Sequence, residues 1–132
     1  MAEIKQTFGG AGGALQGVNM SGSQVTFYWG DALVNITVGS TSYGGNTKGL
    51  QSLTVTMPND GVVILKKMQA RTNQGYMVVS YLEFDLSGSI KKVGNFNANS
   101  ATLEAMDGCQ ITFTGISSGG LIDRLQYRIL PS

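Results

Sequence analysis

An acidic residue behind two glycines, Asp123, is the side chain in this sequence best suited to bind another molecule. It follows Gly119 and Gly120 and has the parity of the apolar side chains in the alternating segment 125–129. A carboxylate on an apolar face must be hydrogen-bonded inside the protein or lie at an open end where a ligand can bond to it. The glycines favour the open end, because backbone without Cβ lets a ligand approach closely. An ordinary glycine turn capped by Asp123 is the alternative that this segment leaves open.

A second acidic pattern, Glu83 and Asp85, is the arrangement closest to that of a catalytic pair. Two carboxylates on one strand face can serve a glycoside hydrolase. Their alternation with Leu82, Phe84 and Leu86 is already explained by an exposed strand face, so hydrolysis is the weakest hypothesis. The sequence contains no histidine, which excludes Ser-His and Cys-His catalysis and most zinc sites. We therefore expect that the protein is not an enzyme and that it has no catalytic residue, no bound metal and no cofactor.

The composition predicts one domain spanning residues 1–132 with a nearly neutral surface. There are 9 basic and 8 acidic residues, a formal charge of +1, and the basic residues are scattered except for two lysine pairs, at residues 66–67 and 91–92. This distribution argues against nucleic acid as a partner. Gly, Ser, Thr and Asn are abundant, and small polar groups of this kind suit uncharged hydroxylated ligands.

The sequence also bears on compartment and membrane contact. Cys109 is the single cysteine, so no intramolecular disulfide can form, and its position in an alternating segment predicts a buried thiol. Residues 1–6 lack the apolar stretch of a classical signal peptide, and no apolar run is long enough to span a bilayer. We expect a soluble protein without membrane insertion, either cytoplasmic or secreted by a non-classical route.

The hydrophobic pattern predicts an all-β protein. No window of a dozen residues shows helical periodicity without a glycine or a β-branched alternation interrupting it. Turn clusters recur at intervals typical of an all-β sandwich, barrel or prism. The predicted strands are 4–8, 15–19, 25–29, 33–39, 51–57, 62–71, 76–86, 89–93, 102–104, 109–116 and 122–130.

Two glycine clusters suggest an internal repeat. Residues 8–13 (FGGAGG) and 43–49 (YGGNTKG) each place paired glycines after an aromatic residue, and a third copy is expected near residues 93–97. A threefold repeat fits three similar antiparallel sheets packed as a prism. No phosphate-binding loop is predicted, because neither cluster is followed by the Lys-Ser/Thr pair or the helix of a P-loop.

The two ends of the chain together resemble the jacalin-related lectins, which have a β-prism I fold. The resemblance is carried by the GGxGG loop at residues 9–13 and the GxxxD motif at residues 119–123, and it extends through residues 50–55 and 80–88. It implies three Greek-key-like antiparallel sheets with pseudo-threefold symmetry, and a lectin that binds glycans or glycoproteins without altering them.

The resemblance also implies where a sugar would bind. In that family a loop amide at the position of Gly13, backbone amides at Gly120 and Leu121, and the carboxylate at Asp123 hold one monosaccharide. A side chain at Gly13 would occupy the place of the sugar. In the variable loop 71–76, Tyr76 would either lay its ring on the sugar or simply begin the next strand.

Several departures from the family pattern narrow the prediction to one pocket. Val34 and Leu65 stand where a second and a third repeat would carry the acid, and the third glycine loop, residues 94–97, is eroded. Leu121 and Ile122 replace the aromatic residue that commonly precedes the acid, which leaves the choice between galactose and mannose open.

An interaction or targeting module that has lost sugar binding is the alternative function. We expect a homo-oligomer, because weak monovalent sugar contacts gain from multivalency.

Overall fold

The computed structural model describes residues 4–97 and 108–130, which form eleven β-strands and no helix. The all-β prediction is confirmed. The strands, numbered in chain order, are β1 Ile4–Gly9, β2 Leu15–Gly17, β3 Gln24–Trp29, β4 Leu33–Val38, β5 Thr41–Gly44, β6 Gln51–Thr56, β7 Val63–Asn73, β8 Tyr76–Leu86, β9 Ser89–Gly94, β10 Cys109–Ser118 and β11 Ile122–Ile129.

The predicted strands agree with these bounds to within two residues, with one strand missed. The missed strand, β5, lies in a segment predicted as turn, because Thr41 and Ser42 are exposed and no apolar alternation marks them. It forms through its backbone, pairing with β4 so that Tyr43 lies opposite Ile36. The predicted strand 102–104 lies outside the described residues.

The strands form three groups. The order β5-β4-β3-β6 is a Greek key, because three consecutive strands are followed by a fourth that returns beside the first. The second group contains strands from both ends of the chain, in the order β1-β11-β10, and β2 pairs with the other side of β10. The third group is β7-β8-β9. Pairing of residues 109–111 of β10 with residues 63–65 of β7 joins the group from the chain ends and the β7-β8-β9 group into one seven-stranded sheet. The predicted three sheets are thus three groups of strands, two of which share a ladder.

A single apolar core lies between the three groups. Phe27 of β3 packs against Phe84 of β8 with ring centroids 5.8 Å apart, and Phe84 packs edge-on against Phe113 of β10 at 6.4 Å. Each group therefore contributes one aromatic ring to the same cluster. Cys109 packs against this core but is only half-buried, so the prediction of a buried thiol was wrong. No described residue belongs to a helix long and apolar enough to cross a membrane.

Each group contains one hairpin with a β-bulge, and the bulges lie at corresponding positions in the three hairpins. The register shifts lie between Tyr28 and Trp29, between Gln69 and Ala70, and between Ser117 and Ser118. Each shift leaves one residue of the second strand without an opposite partner. These extra residues are Val34, Ser80 and Asp123.

The bulge corrects two predictions about the acid. The residues just before the three bulged positions, Leu33, Val79 and Ile122, are fully buried, whereas Asp123 is only partly buried. Asp123 is therefore the extra residue of a bulge and not a member of the apolar face, because a bulge changes the alternation of side chains. In the third repeat, the position equivalent to Asp123 is Ser80 of β8. It is not Leu65, which is a core residue of β7.

Three glycines complete the threefold pattern. Gly9, Gly44 and Gly94 have φ angles of 123°, 120° and 96°, and a Cβ on each would overlap the carbonyl oxygen of Asp123, Val34 and Ser80, respectively. The residue after each glycine donates its backbone N–H to that same carbonyl, over 2.7 to 3.0 Å. The pseudo-threefold symmetry predicted from the glycine clusters is confirmed.

Candidate functional site

The ends of β1 and β11 bring the two glycine motifs together. The backbone N–H of Gly10 donates to the carbonyl of Asp123 at 2.7 Å, and Arg124 Nη1 donates to the carbonyl of Gly10 at 3.3 Å. In the second repeat, Asn35 Nδ2 donates to the carbonyl of Gly45 at 2.9 Å. The residue after the bulged position thus fixes the glycine loop in both repeats.

The glycine loop lies directly against the Asp123 carboxylate. A Cβ on Gly12 would be 3.1 Å from Asp123 Oδ1, and one on Gly13 would be 3.3 Å from Oδ2. Ser117 Oγ donates to the carbonyl of Gly12 at 2.6 Å, which ties the loop to β10. Gly13 has a φ of 68°, and its Cβ would lie 2.8 Å from Ser117 Oγ. Left-handed backbone and contact with Ser117 therefore require glycine there, in addition to the predicted need to leave room for a ligand.

Asp123 also lines an open cavity of about 220 Å³. Four of the five predicted site residues line it, and the fifth, Gly13, is not among its lining residues but lies against the carboxylate. A Cβ on Gly120 would meet no atom within 4 Å, so the backbone there is open to a ligand. The lining residues are Asn73, Gln74, Tyr76, Val78, Gly119, Gly120, Leu121 and Asp123.

The rim of the cavity is formed by the hairpin turn between β7 and β8. Gln74 and Gly75 have φ angles of 50° and 86°, which is the pattern of a two-residue type I′ turn. Tyr76 is the first residue of β8 and is 68% exposed, so it is not held by core packing. Asn73 and Gln74 were not among the predicted contacts, although the predicted variable loop contains both.

The environment of Asp123 disfavours its ionised form. Partial burial raises the pKa of this carboxyl group, and the positive charge of Arg124 opposes part of that rise. The net effect is a pKa above the usual value for aspartate. The carboxylate therefore lacks part of the solvation that it would have in water. Hydrogen-bond donors of a ligand can take the place of the missing water molecules.

The two equivalent positions carry no acid. Val34 occupies the bulge of the second repeat, and Ser80 of the third repeat is 3% exposed. Next to Ser80, the loop after β9 is closed over β7, because Gln69 Oε1 accepts from Asn97 N at 3.0 Å. Val34 also lines an open cavity, of about 310 Å³. Among the three equivalent positions, only Asp123 places a carboxylate beside an open cavity.

The two acids of the alternative pattern take part in local contacts. Tyr81 Oη donates to Glu83 Oε1 at 2.8 Å, and burial together with this acid raises the pKa of Tyr81 far above its usual value. Asp85 Oδ1 accepts the backbone N–H of Gly88 at 2.8 Å and so caps the turn after β8. Residues 4–97 and 108–130 contain no group of three or more side chains suited to hold a metal ion.

Comparison with solved structures identifies the fold. A mannose-specific jacalin-related lectin from Morus nigra, solved in complex with mannose, superimposes with a TM-score of 0.70 at 14% identity, over 99% of this chain and 96% of that one. A mannose-binding jacalin-related lectin from Ananas comosus gives 0.70 at 15% identity, over 98% and 99%. The chain has the β-prism I fold. Malaysian banana lectin matches this prism with a TM-score of 0.65 at 20% identity, over 99% and 100%.

The β-prism is recognised by structure and not by overall sequence similarity. No family model matches the sequence, and no curated protein is significantly similar to it. The structural matches nevertheless cover 99% and 98% of this chain. The resemblance to jacalin-related lectins inferred from residues 9–13 and 119–123 is confirmed at the level of the fold.

Proposed function

We propose that this β-prism is a lectin with one monosaccharide pocket, in which residues 1–132 act as a single non-catalytic domain. The observation that carries the proposal is the position of Asp123, whose carboxylate is in contact with a glycine loop and which lines an open cavity. A carboxylate can accept hydrogen bonds from two neighbouring sugar hydroxyls, and backbone N–H groups can donate to sugar oxygens. The proposed contacts are Gly13, Gly120, Leu121, Asp123 and Tyr76.

An uncharged hexose fits the chemistry of the pocket. The rim offers the Asn73 and Gln74 side chains, which can both donate and accept, and the exposed ring of Tyr76 can cover the C–H face of a pyranose. Mannose is the first ligand to test, because the Morus and Ananas proteins are described as mannose-specific and mannose-binding. With about 1 kcal/mol net per hydrogen bond, we expect monosaccharide affinity in the roughly micromolar to millimolar range.

A glycan array with the wild type and with Asp123→Ala tests the proposal. Binding of hexose-terminated glycans by the wild type, lost in the variant, supports a lectin. The alternative is an interaction module, which the missing acids at Val34 and Ser80 favour. Absence of binding by both proteins would support that alternative, whereas turnover of a glycan by the wild type would contradict a non-catalytic role.

Replacing Tyr76 by alanine is expected to weaken sugar binding about threefold to tenfold. An aromatic contact contributes about 0.5–1.5 kcal/mol, and a side chain that is 68% exposed contributes little to stability. Isothermal titration calorimetry measures the loss, and thermal unfolding checks that the fold is unchanged. Tyr76→Phe is the control, since it keeps the ring and should bind like the wild type. Equal affinity of wild type and Tyr76→Ala would show that the ring only begins β8.

Sugar binding is expected to weaken on acidification at a pH above that at which an ordinary aspartate titrates. The carboxylate form of Asp123 is the one that accepts two hydroxyl donors, and its pKa is raised by burial. As the pH falls through this raised pKa, the group becomes protonated and affinity declines. Titrations from neutral to acidic pH measure the midpoint. A midpoint at or below that of an unperturbed aspartate would contradict the assignment.

A further inference from the structure

A second cavity, of about 190 Å³, lies against β10 and β11. It is lined by residues 18–21 of the loop after β2, residues 60–61 of the loop after β6, residues 112–114 of β10, and Arg128. It is similar in volume to the Asp123 cavity, and the two share no lining residue. Arg128 lies near the end of β11, whereas Asp123 lies near its start, so the two cavities are separate places on the prism.

Thr112 is the residue that points to a ligand. Its side chain is only 9% exposed, it lies opposite Arg128 in the ladder between β10 and β11, and it lines the cavity. Its hydroxyl group forms no hydrogen bond with a residue of the described ranges 4–97 and 108–130. Buried hydroxyl groups without a partner are unfavourable and rare, unless water or a ligand bonds to them. The Thr112 hydroxyl is therefore available to a molecule in the cavity.

The walls of the cavity are held by backbone hydrogen bonds. Gly22 N–H and Gly61 N–H both donate to the carbonyl of Pro58, at 2.8 and 2.9 Å, which ties the two loops together. Val18 N–H donates to the carbonyl of Thr114 at 3.0 Å and attaches the first loop to β10. A cavity with walls that are fixed in advance loses little conformational entropy when a ligand enters.

Uncharged polar groups supply most of the hydrogen-bonding capacity that remains in the cavity. Asp60 and Arg128 are the two charged residues in the lining, and their charges are of opposite sign. Both are partly engaged, because Asp60 Oδ1 accepts the backbone N–H of Val62 at 3.0 Å and Arg128 takes part in a further interaction. The hydroxyl groups of Thr112 and Ser21 can each donate and accept, which a hydroxylated ligand can match. This combination favours an uncharged polyol over an ion.

Apolar side chains complete the lining and bear on the strength of binding. Val18, Met20 and Phe113 lie beside the polar groups and can contact the C–H groups of a polyol. Phe113 is 4% exposed, so this cavity lacks a freely exposed ring such as that of Tyr76. A ligand should therefore bind here more weakly than in the Asp123 cavity.

We propose that this cavity is a second binding site, for a small uncharged polyol of the size of a monosaccharide. Each molecule would then hold two ligands at once, at opposite ends of β11. The site does not depend on the proposed lectin function, because the two cavities share no residue. Binding in the roughly millimolar range is expected, so the site should add little to the signal of a glycan array.

Amide NMR titrations with mannose, galactose and myo-inositol test the second site. At least one of these ligands should shift the signals of residues 18–21 and 112–114, and the shifts should persist in Asp123→Asn. Thr112→Val keeps the shape of the side chain and removes its hydroxyl group. It should weaken binding at this cavity about fivefold, the loss of one neutral hydrogen bond, and leave the response of residues 119–123 unchanged.

Thermal unfolding and a matched variant show whether Thr112→Val acts through binding. Its unfolding temperature should equal or exceed that of the wild type, because valine leaves no buried hydroxyl group without a partner. Thr26→Val is the control, since Thr26 is a half-buried threonine outside both cavities. It should bind like the wild type at both places.

Three results would overturn the second site. One is that none of the three polyols shifts the signals of residues 18–21 and 112–114. Another is equal affinity of the wild type and Thr112→Val at this cavity. Acetate and glycine are the charged probes, and a response to them without a response to the polyols would show that the cavity takes ions. A missing response at residues 119–123 alone would instead refute the proposed sugar pocket.

Discussion

Replacing Asp123 by asparagine is expected to weaken monosaccharide binding at least about 100-fold while leaving the fold intact. Hydrogen bonds to a charged group contribute about 1.5–3 kcal/mol each and neutral ones about 1 kcal/mol, so losing one charged hydrogen bond and turning the other into a neutral one costs about 3 kcal/mol. Asparagine keeps the shape of the side chain but offers one acceptor oxygen in place of two. Isothermal titration calorimetry with mannose, at concentrations that saturate the wild type, measures the loss.

The same substitution should not destabilise the protein. Because burial raises the pKa of Asp123, the folded state disfavours the ionised form relative to the unfolded chain at neutral pH. Removing the charge should therefore leave the unfolding temperature unchanged or slightly higher. Asp31→Asn is the control, since Asp31 is an exposed acid outside the Asp123 cavity, and it should bind like the wild type. Wild-type affinity in Asp123→Asn would refute the proposed pocket.

Replacing Gly10 by alanine is expected to destabilise the protein by about 2 kcal/mol and to abolish measurable sugar binding. A Cβ on Gly10 would overlap the carbonyl oxygen of Met77, at the start of β8. Gly10 is held by its backbone hydrogen bond to Asp123, and Met77 belongs to the ladder between β7 and β8, so neither can move without disturbing backbone pairing. Relief of the overlap would shift the loop that carries Gly12 and Gly13 away from the carboxylate of Asp123.

Denaturant unfolding and calorimetry of Gly10→Ala measure the two effects together. Gly17→Ala is the matched control, because a Cβ on Gly17 would meet no atom within 4 Å, and its stability should change by less than about 0.5 kcal/mol. Gly45 makes the corresponding contact with the carbonyl oxygen of Gly120, where a Cβ would likewise overlap. A Gly10→Ala variant as stable and as active as the wild type would show that the loop adapts freely.

The sequence was sufficient to locate ten of the eleven strands, and apolar and polar residues alternate most clearly in strands such as β3 and β6. Alternation marks a strand only where one face is buried, and β5 buries no side chain fully. Its formation depends on backbone pairing with β4, which no local pattern records. The three equivalent hairpins were recognisable because their glycines are required by close backbone contacts, at Gly9, Gly44 and Gly94.

Four of the residues that line the candidate site could be predicted from the sequence, but their geometry could not. Gly120, Leu121, Asp123 and Tyr76 do line one cavity, although they come from separate parts of the chain. The bulge at Asp123 could not be predicted, because a bulge is defined by the register between two strands and not by the sequence of one. For the same reason spacing from a glycine pointed to Leu65, whereas the ladder between β7 and β8 identifies Ser80.

The pairing of β1 with β11 determines how the molecule would respond to mechanical tension. The ladder runs from Ile4 opposite Ile129 to Gly9 opposite Arg124, so a pull on residues 4 and 129 loads its pairs one at a time. The pairs farthest from Asp123 carry the load first, and those that hold the glycine loop against the carboxylate carry it last. A tether at that end of either strand would leave the pocket assembled until the whole ladder had been peeled apart.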